Sequence, residues 1–167
     1  MAALEYISDE DCVSHVLSGS SFSKTPFFPS LSHLELWNCS NLKGWWRNSN
    51  DDDDNQPDHL LLPSFPPCLS QLNIVRCSNL TCMPLFPYLK EDLKMVRVSS
   101  KVLQQIMKMK MGATTSPSSC YFPLSQLQSM KLCLVRDLES YPEEWLQNLV
   151  SLQKLKIYNC EELGNSK

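Results

Sequence analysis

The sequence predicts an α/β repeat fold in which short parallel strands stack side by side along an open right-handed coil. Three observations predict it. First, the stretch Leu149 to Leu163, LVSLQKLKIYNCEEL, places apolar residues at 149, 152, 155, 157, 160 and 163, a spacing that neither a helix nor a strand satisfies throughout. Second, its central pair Leu155 and Ile157 alternates as a half-buried strand does, while the flanking steps of three return an apolar side chain inward at each turn. Third, the same spacing recurs upstream, as it must, because one such coil cannot bury its own apolar edge. The pattern is that of a leucine-rich-repeat solenoid, an open right-handed superhelix with a short-strand parallel concave sheet and an irregular convex face.

Taken in order, residues 1–27 are a remnant of a preceding repeat, with Leu4 and Ile7 as its tail, and a Ser-rich lead-in. A repeat domain of about five coils then spans 28–163, and 164–167 are a tail. The earliest complete coil carries Leu31, Leu34, Leu36, Cys39, Leu42 and Trp45. A second carries Leu69, Leu72, Ile74, Cys77, Leu80 and Met83, closed by Pro84. A fainter third takes Leu93, Val96 and Val98 as its strand, with Lys101 where the cysteine belongs. The fourth carries Leu124, Leu127, Met130, Leu132, Val135 and Leu138, closed by Tyr141 and Pro142, and the fifth is the stretch quoted above.

Taking Leu34, Leu72, Val96, Met130 and Leu155 as the first inward strand residues, two steps are ordinary repeat lengths and two are long, which implies loops inserted near 46–63 and 101–122. The first holds Asp51 to Asp54, a run that repels itself and predicts a mobile loop. It lacks the alternating ligands of a calcium loop. The second opens with Val102, Ile106 and Met109 at helical spacing among Lys101, Lys108 and Lys110, which predicts a short amphipathic helix packed on the outer face of its coil. Trp145, in PEEWLQNL, anchors a convex-side turn or short helix before the last coil.

At 167 residues, with 43% hydrophobic and 20% charged residues, the chain is one soluble domain's worth. A net charge of −3 is too mild to announce a nucleic-acid or membrane partner. Of eight cysteines, Cys39, Cys77 and Cys160 share one inward repeat position, where a reduced thiol packs or gives a weak hydrogen bond to a turn. The acidic start (Glu5, Asp9, Glu10, Asp11) is no signal peptide, and no stretch reaches the ~20 apolar residues of a membrane span. A reducing, cytoplasmic setting follows. The acceptor patterns at Asn38 and Asn79 lie inside coils and read as accidents of a repeated Ser-Asn-Leu turn.

No catalytic constellation is legible. The four glycines are isolated, so no phosphate loop exists, and a GxSxG nucleophile turn is missing. His15, His33 and His59 fall in unrelated segments, and neither Cys12 with His15 nor Cys77 with Cys82 has a second pair at a zinc interval. The basic scatter Lys94, Arg97, Lys101, Lys108 and Lys110 lacks interleaved aromatics for base stacking. The reading is a non-enzyme with no cofactor, no metal, no nucleic acid and no membrane insertion.

What the repeats offer is a surface. Residues flanking the inward pair of each strand point to the opposite face, giving rows His33, Glu35, Trp37; Gln71, Asn73, Val75; Met95, Arg97, Ser99; Ser129, Lys131, Cys133; and Lys154, Lys156, Tyr158. The middle column, Glu35, Asn73, Arg97, Lys131, Lys156, turns basic toward the C-terminus. Trp37, Arg97 and Tyr158 are of types enriched at binding hot spots. The protein-binding candidates are therefore His33, Glu35, Trp37, Gln71, Asn73, Val75, Arg97, Lys131, Lys154, Lys156 and Tyr158.

With these residues in view, the chain resembles the C-terminal leucine-rich-repeat region of plant intracellular nucleotide-binding leucine-rich-repeat disease resistance proteins of the coiled-coil type. The resemblance rests on FPSLSHLELWNCSNLKGWW (28 to 46), CLSQLNIVRCSNLTCMP (68 to 84) and YPEEWLQNLVSLQKLKIYNCEEL (141 to 163), especially the cysteine of LxLxxC and the PEEW turn. It implies a non-catalytic surface that recognises a pathogen effector or a host protein and helps hold the nucleotide-binding module inactive. The chain departs from that family in lacking this module and in its irregular coil lengths, so it reads as a truncated receptor, a fragment or a repeat-only relative. A substrate-recruiting repeat domain of a ubiquitin ligase, or a repeat-only scaffold, is the alternative among binding modules. An enzyme is the alternative from another class and would need a clustered pocket that these spacings do not predict.

Overall fold

Five short strands, taken in sequence order, lie side by side in one parallel sheet that does not close into a barrel: β1 His33–Trp37, β2 Gln71–Val75, β3 Asp92–Val96, β4 Ser129–Cys133 and β5 Lys154–Tyr158. The structure, a computed structural model, describes residues 4–7, 28–46, 64–107, 122–135 and 143–160, without the side chains of 107 and 143–145. The strands pair in an unbroken register that aligns Leu34, Leu72, Leu93, Met130 and Leu155 in one line and Leu36, Ile74, Met95, Leu132 and Ile157 in the next. Strand side chains alternate between faces, so both lines point into the same core. In β2, β3 and β4 all six of these residues are at most 1% exposed.

The chain leaves every strand in the same way. The next residue has a positive φ in all five cases: Asn38 (56°), Arg76 (56°), Arg97 (53°), Leu134 (52°) and Asn159 (49°). This left-handed conformation costs a residue with a Cβ about 1–2 kcal/mol, and a backbone hydrogen bond offsets it. The N–H groups of Asn38, Arg76, Arg97 and Leu134 donate to the last strand carbonyl of the following unit, on Val75 (2.9 Å), Val96 (2.8 Å), Cys133 (2.9 Å) and Tyr158 (3.0 Å). The turn then points Cys39, Cys77, Val98, Val135 and Cys160 toward the core, Cys77 and the two valines fully buried. Each of the three thiols donates to the carbonyl two residues back, at 3.4, 3.5 and 3.6 Å. A small side chain with a weak donor suits this bend, and valine fills it by shape alone.

The third unit corrects the sequence reading. Its inward pair is Leu93 and Met95, both 0% exposed, and not Val96 and Val98. Val98, not Lys101, stands where the cysteine belongs, and Lys101 is the exposed first residue of a helix. The cause is one additional residue ahead of the strand. In the first, second, fourth and fifth units the turn leucine that donates back three residues (Leu31, Leu69, Leu127, Leu152) lies three before the strand's first inward residue, whereas Leu89 lies four before Leu93. A step of three from Leu89 therefore falls one short, on Asp92, whereas the same step from Leu93 lands on Val96, which with Val98 imitates the pattern.

Behind the strands the units touch again. Gly44 bridges Tyr6 on one side and Cys82 on the other, and Lys43 accepts from the Thr81 N–H (2.8 Å) while donating to Glu5 O (2.8 Å). Residues 4–7 thus sit against the first unit as the first unit sits against the second. Trp45 and Phe65 pack edge to face there, with ring centres 5.5 Å apart. The expected amphipathic helix is α1, Lys101–Met107, with Val102, Leu103 and Ile106 buried against the core; Met109 lies outside the described residues. A second short helix, α2, spans Glu143–Asn148, and the anchoring role expected of Trp145 falls on an undescribed side chain. The Asp51 to Asp54 run, Leu138, Leu163 and most of the lead-in also lie outside the described residues.

Inward orientation does not guarantee burial at the ends of the array. Leu34 and Leu36 in β1 are half-buried, and in β5 Leu155 and Ile157 are 47% and 38% exposed, because only one neighbouring strand covers each.

Candidate protein-binding face

The side of the sheet opposite the core is built by strand alternation alone. Its three columns, read from β1 to β5, are His33, Gln71, Asp92, Ser129, Lys154; then Glu35, Asn73, Lys94, Lys131, Lys156; then Trp37, Val75, Val96, Cys133, Tyr158. Ten of the eleven sequence candidates lie here, but Val75 is only 7% exposed, so its position is buried and offers a partner little surface. Arg97 does not, since it is the left-handed residue just beyond β3, and Met95 and Ser99, once placed in its row, are buried. The row they were given belongs to Asp92, Lys94 and Val96, which the slipped phase concealed. Reading Leu93, Met95 and Val98 as LxLxxC with valine for cysteine would have found them.

At the β1 end the face is a hydrogen-bonded acidic patch. Asn73 Nδ2 donates to Glu35 Oε1 at 2.8 Å, and Gln71 Nε2 donates to Glu91 Oε2 at 2.8 Å. Trp37 stands beside them, 52% exposed. Toward β5 the middle column carries three lysines in direct register, Lys94, Lys131 and Lys156, about 4.8 Å from strand to strand. Like charges directly opposite one another destabilise a sheet. The first two relieve this by leaning apart: the Lys94 ammonium lies 5.3 Å from the centre of the Trp37 ring, and the Lys131 ammonium 5.9 Å from that of Tyr158. Each cation meets the negative face of a ring. Among the described residues none of the three lysines has an ion-pair partner.

His33 Nδ1 lies 2.9 Å from Ser32 Oγ on the adjacent residue, and among the described residues no carboxylate orients that ring. Burial pushes the Cys77 and Cys82 thiols up, away from the reactive thiolate. Among the described residues six cysteines are free, and no three His, Cys, Asp or Glu side chains converge. A shallow groove beside the β3–β5 turns is lined by Lys90, Gln126, Gln128 and residues 150–153, an assortment with no acid–base pair. Among the described residues no helix is long and apolar enough to cross a membrane. Compared with protein-family models, curated proteins and solved structures, the chain matches none.

Proposed function

We propose that this chain is a non-catalytic protein-recognition module, the leucine-rich-repeat solenoid of a plant intracellular immune receptor, and that the exposed face of its sheet is the concave wall that binds a pathogen effector or a host protein. In the full-length receptor the same repeats contribute to holding the nucleotide-binding module inactive, in the cytoplasm. The observation that carries the reading is the aligned face itself: five strands in sequence order hold fifteen outward side chains in three straight columns, with two large aromatics exposed among them. Aromatic side chains held on a rigid sheet are the usual anchors of a protein interface. The identical left-handed exit after each strand supports the solenoid, because it turns the chain in the same direction five times. A standard interface takes roughly 20 to 30 residues a side, so this face supplies part of a footprint.

The test is proximity labelling in plant cells with the full chain, the double variant Trp37→Ala/Tyr158→Ala, and the control Asn41→Ala/Ser78→Ala on the turns behind the sheet. A partner enriched by the unaltered chain and the control, and lost with the double variant, supports the reading. Equal enrichment by all three contradicts it.

A further inference from the structure

We infer that the two outermost strands are complementary docking edges, and that β5 of one copy of this chain takes β1 of a second copy as the next parallel strand of its sheet. This goes beyond the partner proposed above and does not rest on it. β1 and β5 stand at the two ends of the strand order, so each has one edge with no strand beside it among the described residues. Such an edge presents a row of peptide groups that templates a further strand. The apolar side chains at both edges are incompletely covered as well. Leu155 and Ile157 of β5 are 47% and 38% exposed, and Leu34 and Leu36 of β1 are half-buried.

The register shared by the four existing pairs identifies the occupant. Continued by one strand, it sets Leu155 beside the second copy's Leu34 and Ile157 beside its Leu36, which extends both apolar lines. Asn159 has the same left-handed φ as the other four exit residues, whose N–H groups each donate to the last strand carbonyl of the next unit. The equivalent acceptor for Asn159 is the carbonyl of the second copy's Trp37. On the outer side of the sheet, Lys156 comes to stand opposite Glu35 and Tyr158 opposite Trp37. Opposite charges and aromatic pairs in direct register both stabilise a sheet, and Lys156 has no ion-pair partner among the described residues. Two β5 edges meeting in register would set Lys156 against Lys156, and two β1 edges Glu35 against Glu35, so unlike edges are favoured. The back of the molecule fits the same arrangement. Residues 4–7 lie against Lys43 and Gly44 as the first unit lies against the second, so they form the back of a unit ahead of β1. No described residues form the strand of that unit, and β5 of another copy supplies it.

Contacts between unlike edges build open chains and not a closed pair. In sedimentation velocity of the full chain, the weight-average coefficient should therefore climb with concentration from monomer past dimer. Leu155→Asp and Leu34→Asp each place a charge on one docking edge, and each alone should stay monomeric. Mixed, they should form a one-to-one pair and stop there, because the intact β1 of the Leu155→Asp chain meets the intact β5 of the Leu34→Asp chain. Misfolded variants would not do this. Glu35→Lys and Lys156→Glu should each raise the concentration at half-assembly by at least about threefold, and Glu35→Lys/Lys156→Glu in one chain should bring it back. A chain that stays monomeric throughout, a dimer that survives either aspartate variant alone, or folded aspartate variants that form no pair when mixed would overturn the inference. Should both aspartate variants lose their far-ultraviolet signal, the charge exchange decides alone, and failure of the double exchange to restore assembly overturns it.

Discussion

The ammonium of Lys94, on β3, lies 5.3 Å from the centre of the ring of Trp37, on β1, with β2 between the two strands. The contact joins residues two strands apart, while Lys131, directly opposite Lys94, has its ammonium beside the Tyr158 ring on β5. A double-mutant cycle on Lys94→Ala and Trp37→Ala, read by urea unfolding, should return a coupling of about 0.5–1 kcal/mol, the value of a solvent-exposed cation–π pair. A coupling of zero would mean that the lysine is simply solvated.

Burial ranks the inward leucines. Leu93→Ala, at a site with 0% exposure, should cost about 2–5 kcal/mol through lost transfer energy and a residual cavity. Leu155→Ala occupies the equivalent position in β5, where the side chain is 47% exposed, and should cost less than about half as much. Equal losses in chemical denaturation would show that β5 is covered in solution.

That difference marks what the sequence could and could not reveal. The LxLxxC spacing announces four strands correctly because each unit repeats one alternation and one left-handed exit, and both leave a fixed count between Leu34 and Cys39 or Leu72 and Cys77. The third unit slipped because Leu89 and Leu93 are separated by one residue more than their counterparts, while Val96 and Val98 imitate an inward pair. With it went Lys94, the central member of the charged column, and Arg97 took its place. Exposure of Leu155 and Ile157 depends on how many strands flank β5, and the reach of Lys94 to Trp37 depends on side-chain length. Neither is written in a spacing.

Gly44 lies where two units meet behind the sheet. A Cβ there would land on the Cys82 sulfur and 3.0 Å from its carbonyl oxygen. That sulfur is held by a 3.5 Å hydrogen bond to Trp46 O, so it cannot swing away freely. Gly44→Ala should destabilise by about 1–3 kcal/mol, the usual cost of overpacking, seen as a lower denaturant midpoint without loss of far-ultraviolet signal.

Stability should fall in alkali. Burial raises the Cys77 and Cys82 thiols above their ordinary value of 9.0. Between 9.0 and the higher folded values the native state binds protons that the unfolded chain has released, so stability is full below pH 9.0 and decreases as pH rises beyond it. Urea midpoints measured across this range should decline less steeply in Cys77→Ala than in the unaltered chain. Parallel slopes would assign the decline to other groups.

The central claim is that alternate side chains of β3 face the core and the outer side of the sheet in the phase set by Leu93 and Met95. Thiol labelling of Lys94→Cys and Met95→Cys, with the native cysteines subtracted by intact mass, tests it most directly. The added thiol of Lys94→Cys should react fast in the native state and that of Met95→Cys only on unfolding. The reverse order, or equal rates, would contradict the register and with it the lysine column and the face.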